Sequence, residues 1–84
     1  IEVDMYEEMI NTNTPLDRLK KIPTSHFLAA ISDDPNNSVL YLNLGRTLPS
    51  NGKIKLLNGT EMTEQALFLK TIHIDPNISL AYYN

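Results

Sequence analysis

Asp34-Pro35-Asn36-Asn37-Ser38-Val39-Leu40-Tyr41-Leu42-Asn43 decides the reading of this chain, because the stretch returns 41 positions later as Asp75-Pro76-Asn77-Ile78-Ser79-Leu80-Ala81-Tyr82-Tyr83-Asn84. Six of the ten residues are identical. The segments ahead of each copy correspond as well, His26-Phe27-Leu28-Ala29-Ala30-Ile31 with Leu67-Phe68-Leu69-Lys70-Thr71-Ile72. Self-similarity at one fixed spacing of this size is the signature of stacked supersecondary units.

Each copy has a physical reading. Asp before Pro is a helix-start signal: the carboxylate accepts an orphan amide hydrogen bond, and proline presets the first helical φ without an amide to satisfy. Each Asp-Pro is therefore expected to open a helix. After the first, Val39, Leu40, Tyr41, Leu42, Leu44 and Leu48 form a broad apolar surface, and Gly45 leaves room for a neighbouring helix. Pro49 stops that helix, and Ser50, Asn51 and Gly52 form the loop.

Ahead of the second Asp-Pro, Met62, Ala66, Leu69 and Ile72 or His73 recur at spacings of three and four, with Glu61 and Glu64 near the start, where the helix dipole favours anions. Thr60 or Thr63 is the expected cap. The equivalent helix in the earlier unit runs from about Thr24 to Asp33, capped by Thr24 or Ser25 after Pro23. The unit is thus two antiparallel helices, joined to the next unit through the Asp-Pro turn.

These residues resemble the tetratricopeptide repeat family. Tyr41-Leu42-Asn43-Leu44-Gly45 is similar to the aromatic-x-Asn-Leu-Gly stretch of the family's first helix. Phe27 and Phe68 stand at the aromatic position of its second helix, and Ala30 and Thr71 at the small-residue position before the turn. The resemblance implies an all-α fold of antiparallel helix-turn-helix repeats stacked as a short α-solenoid. Family repeats are about 34 residues long, so the 41-residue spacing here leaves about seven inserted. The insertion lies between the helices of the central unit: Lys53-Ile54-Lys55-Leu56-Leu57 alternates charged and apolar side chains, and the hairpin signal Asn58-Gly59 follows. A small β-hairpin near residues 53–62 and an ordinary loop with a tight turn are the two alternatives.

The expected organisation is one tetratricopeptide-like segment over residues 1–84. Residues 1–33 form a degenerate first unit, 34–74 the central unit, and 75–84 the start of a truncated next unit. The chain starts without Met and stops inside the second copy, so a piece of a longer protein is expected. Within the first unit, Met5, Tyr6, Met9 and Ile10 share a helical face near 3–11. Asn11-Thr12-Asn13-Thr14-Pro15 ends that helix, and Leu16, Leu19 and Ile22 make a further short amphipathic turn. Such a unit serves as a cap over an open apolar end.

Composition narrows the function. Hydrophobic residues make up 42% of 84, on the globular side of the boundary with disorder. Seven Lys and Arg stand against ten Asp and Glu, and no basic cluster exceeds Arg18, Lys20 and Lys21, which argues against nucleic acid or an anionic membrane as partner. With no cysteine, disulfides and thiolate metal sites are excluded. No apolar run reaches the roughly 20 residues that span a bilayer, and the charged start does not read as a signal peptide, so a cytoplasmic setting is expected. Three Asn-x-Ser/Thr triplets, beginning at Asn36, Asn58 and Asn77, fit the glycosylation pattern, but two belong to the repeat's turn.

Nothing in the residues points to catalysis. His26 and His73 are not equivalent in the repeat, and Ser25 beside His26 faces away from it on a helix. His73 with Asp75 is at most half a metal site, the three glycines are isolated, and the pairs Glu7-Glu8 and Asp33-Asp34 read as solvated surface. No enzyme activity, cofactor or metal is expected.

What remains is recognition. The tetratricopeptide resemblance implies that first helices line a groove holding a partner peptide or helix, with Asn43 and Asn84 in the asparagine positions of consecutive units. Leu42, Arg46 and Tyr83 would share that exposed side, while Tyr41, Leu44, Gly45 and Tyr82 pack between helices. One subtype of the family captures chaperone-tail carboxylates with lysines one turn before such asparagines; Val39 and Leu80 stand there, which argues against that ligand. The alternative function is a structural spacer or self-association element, a homo-oligomer formed through an exposed terminal helix bearing Leu80 and Tyr83.

Overall fold

A computed structural model describes residues 7–49 and 51–78. Residues 7–9 are helical, and they are followed by α1 (Leu16–Leu19), α2 (Thr24–Asp33), α3 (Ser38–Thr47), β1 (Lys53–Lys55), β2 (Glu61–Thr63) and α4 (Glu64–Ile74). The architecture is mostly helical with one small two-stranded antiparallel sheet, which is the hairpin alternative for the insertion. Its register pairs Lys53 with Thr63, Ile54 with Met62 and Lys55 with Glu61.

Each Asp-Pro turn closes the preceding helix, and the first lies ahead of α3 rather than opening it. Asp34 closes α2, its N–H donating to Ala30 O at 2.9 Å, and Asp75 closes α4 with the same bond to Thr71 O at 2.9 Å. A further bond then runs from Asn37 N–H to Asp34 O, matched by Ile78 N–H to Asp75 O, both at 3.2 Å. The two turns thus share main-chain hydrogen bonds at corresponding positions. Helix α3 begins after this turn, and its cap is Asn37, whose Oδ1 accepts from Val39 N–H at 3.1 Å. At α4 the capping residue is Thr63, whose Oγ1 accepts from Ala66 N–H at 3.1 Å. Helix α2 departs from expectation: Pro23 occupies its N-cap position with no side-chain cap bond, and Thr24 is the first helical residue.

The insertion is a hairpin whose loop is one residue wider than Asn-Gly alone predicts. Leu56 N–H donates to Thr60 O at 2.8 Å, and Gly59 N–H donates to Leu56 O at 2.9 Å. Gly59 has φ +91° and Asn58 does not have positive φ. A two-residue type I′ turn needs positive φ at both central residues; the observed pattern is the three-residue loop that ends in a left-handed glycine.

Helix α3 is the centre of the molecule. Leu40, Tyr41 and Leu44 join a cluster with Met9, Leu19, Ile22, Phe27, Ile31, Leu56 and Leu67. Leu42 points the other way, into a second cluster with Phe68, Ile72 and Ile78. A helix that is apolar all round is buried all round, and residues 40–45 are. Gly45 allows the closest approach: a β-carbon there would lie 3.0 Å from Phe68 Cε1 and 3.4 Å from Leu67 Cβ. Beside it, Thr71 is fully buried and donates from Oγ1 to Leu67 O at 2.9 Å.

Candidate partner-binding site

Asn43 and Arg46 lie one helical turn apart on α3 and address the same segment of chain. The Asn43 amide nitrogen donates to the main-chain carbonyls of Met9 at 2.7 Å, Asn11 at 3.1 Å and Glu8 at 3.3 Å. Arg46 donates to Thr14 O at 2.9 Å and to Thr12 O at 3.5 Å, and joins its neighbour through Asn43 Oδ1 at 3.1 Å. Thr14, itself buried, adds a bond from Oγ1 to Glu8 O at 3.1 Å. Two side chains thus gather five carbonyls where the helix at 7–9 ends and the chain turns, of which Asn11 O also accepts from Thr14 N–H at 3.4 Å.

This arrangement corrects the expected exposure. Leu42 and Asn43 are fully buried, because residues 8–14 cover one side of α3 and α4 covers the other. Arg46 is half-buried, and burial lowers the pKa of its guanidinium from the ordinary arginine value. Tyr83 and Asn84 lie outside the described residues. Tyr41, Leu44 and Gly45 are buried between helices, as expected.

Beside the clasp is a cleft of about 340 Å³, lined by Glu7, Glu8, Asn11, Asn13, Thr14, Pro15 and Arg18. Two of its charged side chains pair, Arg18 Nη1 with Glu8 Oε1 at 3.0 Å. The residues that make this site with α3 were missed in the sequence. They contribute main-chain oxygens, which every residue type carries, so no side-chain pattern marks them.

Tyr41 is a further polar group built into α3. Its hydroxyl donates to Pro35 O at 2.9 Å, and Lys70 Nζ stands 5.9 Å from its ring centroid. Burial, and then the nearby Asp34 charge, raise its pKa above the ordinary value of 10.0. The histidines are exposed on α2 and α4. Among the described residues no group of three metal-ligating side chains comes together, and no helix is long and apolar enough to cross a membrane.

No curated protein and no solved structure gives a significant match to this chain. The family model of the tetratricopeptide repeat matches residues 26–65, from the start of α2 through α3 and the hairpin into α4. Over those residues the chain is similar to a tetratricopeptide repeat.

Proposed function

We propose that this chain is a non-catalytic protein–protein interaction module, which holds a partner peptide or helix along the face where α3 meets the N-terminal segment. The observation that carries the reading is the tetratricopeptide match over residues 26–65, since repeats of that family generally serve as interaction modules without catalysis. Among the described residues of the predicted set Arg46 is the one that reaches the surface, with Asn43 beneath it as a positioning residue and Leu42 packed against α4. Tyr83 and Asn84 take the same places in the next unit by the repeat offset. A face fixed by packing and hydrogen bonds loses little further freedom when a partner docks. A cytoplasmic setting and stacking of the units as a short solenoid belong to the same reading.

The test is capture of partners on the immobilised chain beside its Arg46→Ala variant, with helical content of both checked by circular dichroism. A partner held by the native chain and lost by an equally folded variant supports the reading. Equal retention overturns the assignment of this face. The spacer or self-association reading draws on a different observation: Leu69, on the outer side of α4, is 66% exposed. Light scattering of the native chain and of Leu69→Lys tests it, a dimer that becomes a monomer being the supporting result.

A further inference from the structure

We propose that Asn58 is a site of spontaneous modification, at which the main-chain nitrogen of Gly59 displaces the side-chain amide of Asn58 as ammonia. The step closes a five-membered succinimide. The Gly59 N–H gives its proton to hydroxide, the nitrogen attacks Asn58 Cγ, and the electron pair of the C=O moves onto Oδ1. The bond from Cγ to Nδ2 then breaks, and the departing nitrogen takes a proton from water. A water molecule opens the ring at either carbonyl, leaving aspartate or its β-linked isomer. No oxidant or reductant is involved.

The chain has two Asn-Gly dipeptides, and the structure separates them. At Asn58 both residues are exposed, and no side chain or neighbouring atom crowds Gly59, since a β-carbon there would meet nothing within 4 Å. Asn58 Oδ1 accepts from Thr60 N–H at 2.9 Å, a donor placed where negative charge develops in the tetrahedral intermediate. The Gly59 N–H bond to Leu56 O must open first. It belongs to the exposed tip of a hairpin with three-residue strands, the kind of segment that opens locally at low cost.

At Asn51-Gly52 the surroundings are closed. Gly52 is half-buried, its N–H is held by Pro49 O at 2.8 Å, and a β-carbon there would lie 2.8 Å from that same oxygen. Asn11 and Asn37 share the side-chain bond to the amide two residues on, but Thr12 and Ser38 follow them and hinder the attack. Asn58 alone among these four combines an unhindered nucleophile with a donor on the carbonyl.

The product changes a surface. Leu57 and Asn58 rim an apolar cleft of about 250 Å³ whose floor includes Leu28, Ile31, Tyr41 and Leu56. Conversion puts a carboxylate on that rim. The β-linked isomer also adds a main-chain bond inside the loop closed by Leu56 N–H and Thr60 O at 2.8 Å, and so loosens the hold of Leu56 on α2.

The experiment is incubation of the intact folded chain at neutral and mildly alkaline pH, followed by trypsin digestion and mass spectrometry. Cleavage after Lys53, Lys55 and Lys70 places Asn51 and Asn58 in different peptides. The expected result is an amide-to-acid mass gain at Asn58 about tenfold faster than at Asn51, a gap of about 1.4 kcal/mol in activation free energy. The gain should rise with pH, include the β-linked isomer, disappear in Asn58→Gln, and slow in Thr60→Pro, which lacks the N–H donor. Conversion at Asn51 equal to or ahead of Asn58, or an unmodified Asn58 after Asn51 has converted, overturns the proposal.

Discussion

The side-chain amide of Asn43 reaches the main-chain carbonyl of Met9, 34 positions away in sequence, at 2.7 Å in a buried setting. Together with the bonds to Glu8 O and Asn11 O it fastens the N-terminal segment across α3. Among the described residues no buried side-chain nitrogen or oxygen lacks a partner, so the polar groups placed in this core are satisfied. A satisfied buried network specifies one arrangement, and a half-satisfied one is costly.

Removing Asn43 tests that cost. Asn43→Ala leaves the Met9 carbonyl without its buried donor and takes an acceptor from Arg46. Stranding a buried polar group costs about 1–3 kcal/mol. We expect the variant to fall at the upper end of that range in urea unfolding, with faster amide hydrogen exchange in residues 8–14. A loss below about 0.5 kcal/mol, the lower bound for one ordinary hydrogen bond, would mean that the clasp does not fasten this segment.

The helices are legible in the sequence because they are written in side-chain types, with proline and glycine at ends and turns and Phe27 and Phe68 on their buried faces, while the alternation through Lys53–Lys55 leaves hairpin and loop open. The misreadings have one physical source. The tetratricopeptide resemblance puts Asn43 on an open groove, whereas its surroundings are set by a segment 34 positions away that meets it through main-chain oxygens. Leu42 misled similarly, since the run Leu40-Tyr41-Leu42 does not say which apolar faces have a neighbour. The Asp-Pro signal marks the turn before the helix and not its first residue, and the cap is Asn37.

That last correction has its own test. Asn37→Ala removes the acceptor for Val39 N–H and should cost about 1 kcal/mol, the usual loss for an N-cap asparagine. Asp34→Ala removes no such bond and should cost clearly less. Thermal or urea unfolding of the two variants decides it, and the reverse order would return the capping role to Asp34.

Gly45 has a steric requirement that an alanine scan exposes. An added β-carbon would sit 3.0 Å from Phe68 Cε1 and 3.2 Å from Cζ, tighter than ordinary van der Waals contact. Gly45→Ala should therefore destabilise by about 1–3 kcal/mol, the range for overpacking a tight core, despite alanine's better helix propensity. Phe68→Leu in the same background should recover part of the loss, making the double variant non-additive. Strict additivity would place the effect somewhere other than this contact.

Tyr41 gives stability a dependence on alkaline pH. Burial and the Asp34 charge raise its folded pKa above the unfolded value near 10.0, so the folded state holds the phenolic proton more tightly. Its contribution is complete below that pH and is lost as pH rises through the unfolded value toward the folded one. We expect unfolding free energy to decline more steeply above about pH 10 in the native chain than in Tyr41→Phe. Near neutrality the variant should be less stable by about 0.5–1.5 kcal/mol, since it lacks the hydrogen bond to Pro35 O. The difference between the two pH profiles isolates Tyr41 from the other tyrosines, and parallel profiles would show that its hydroxyl titrates as freely in the folded chain as in the unfolded one.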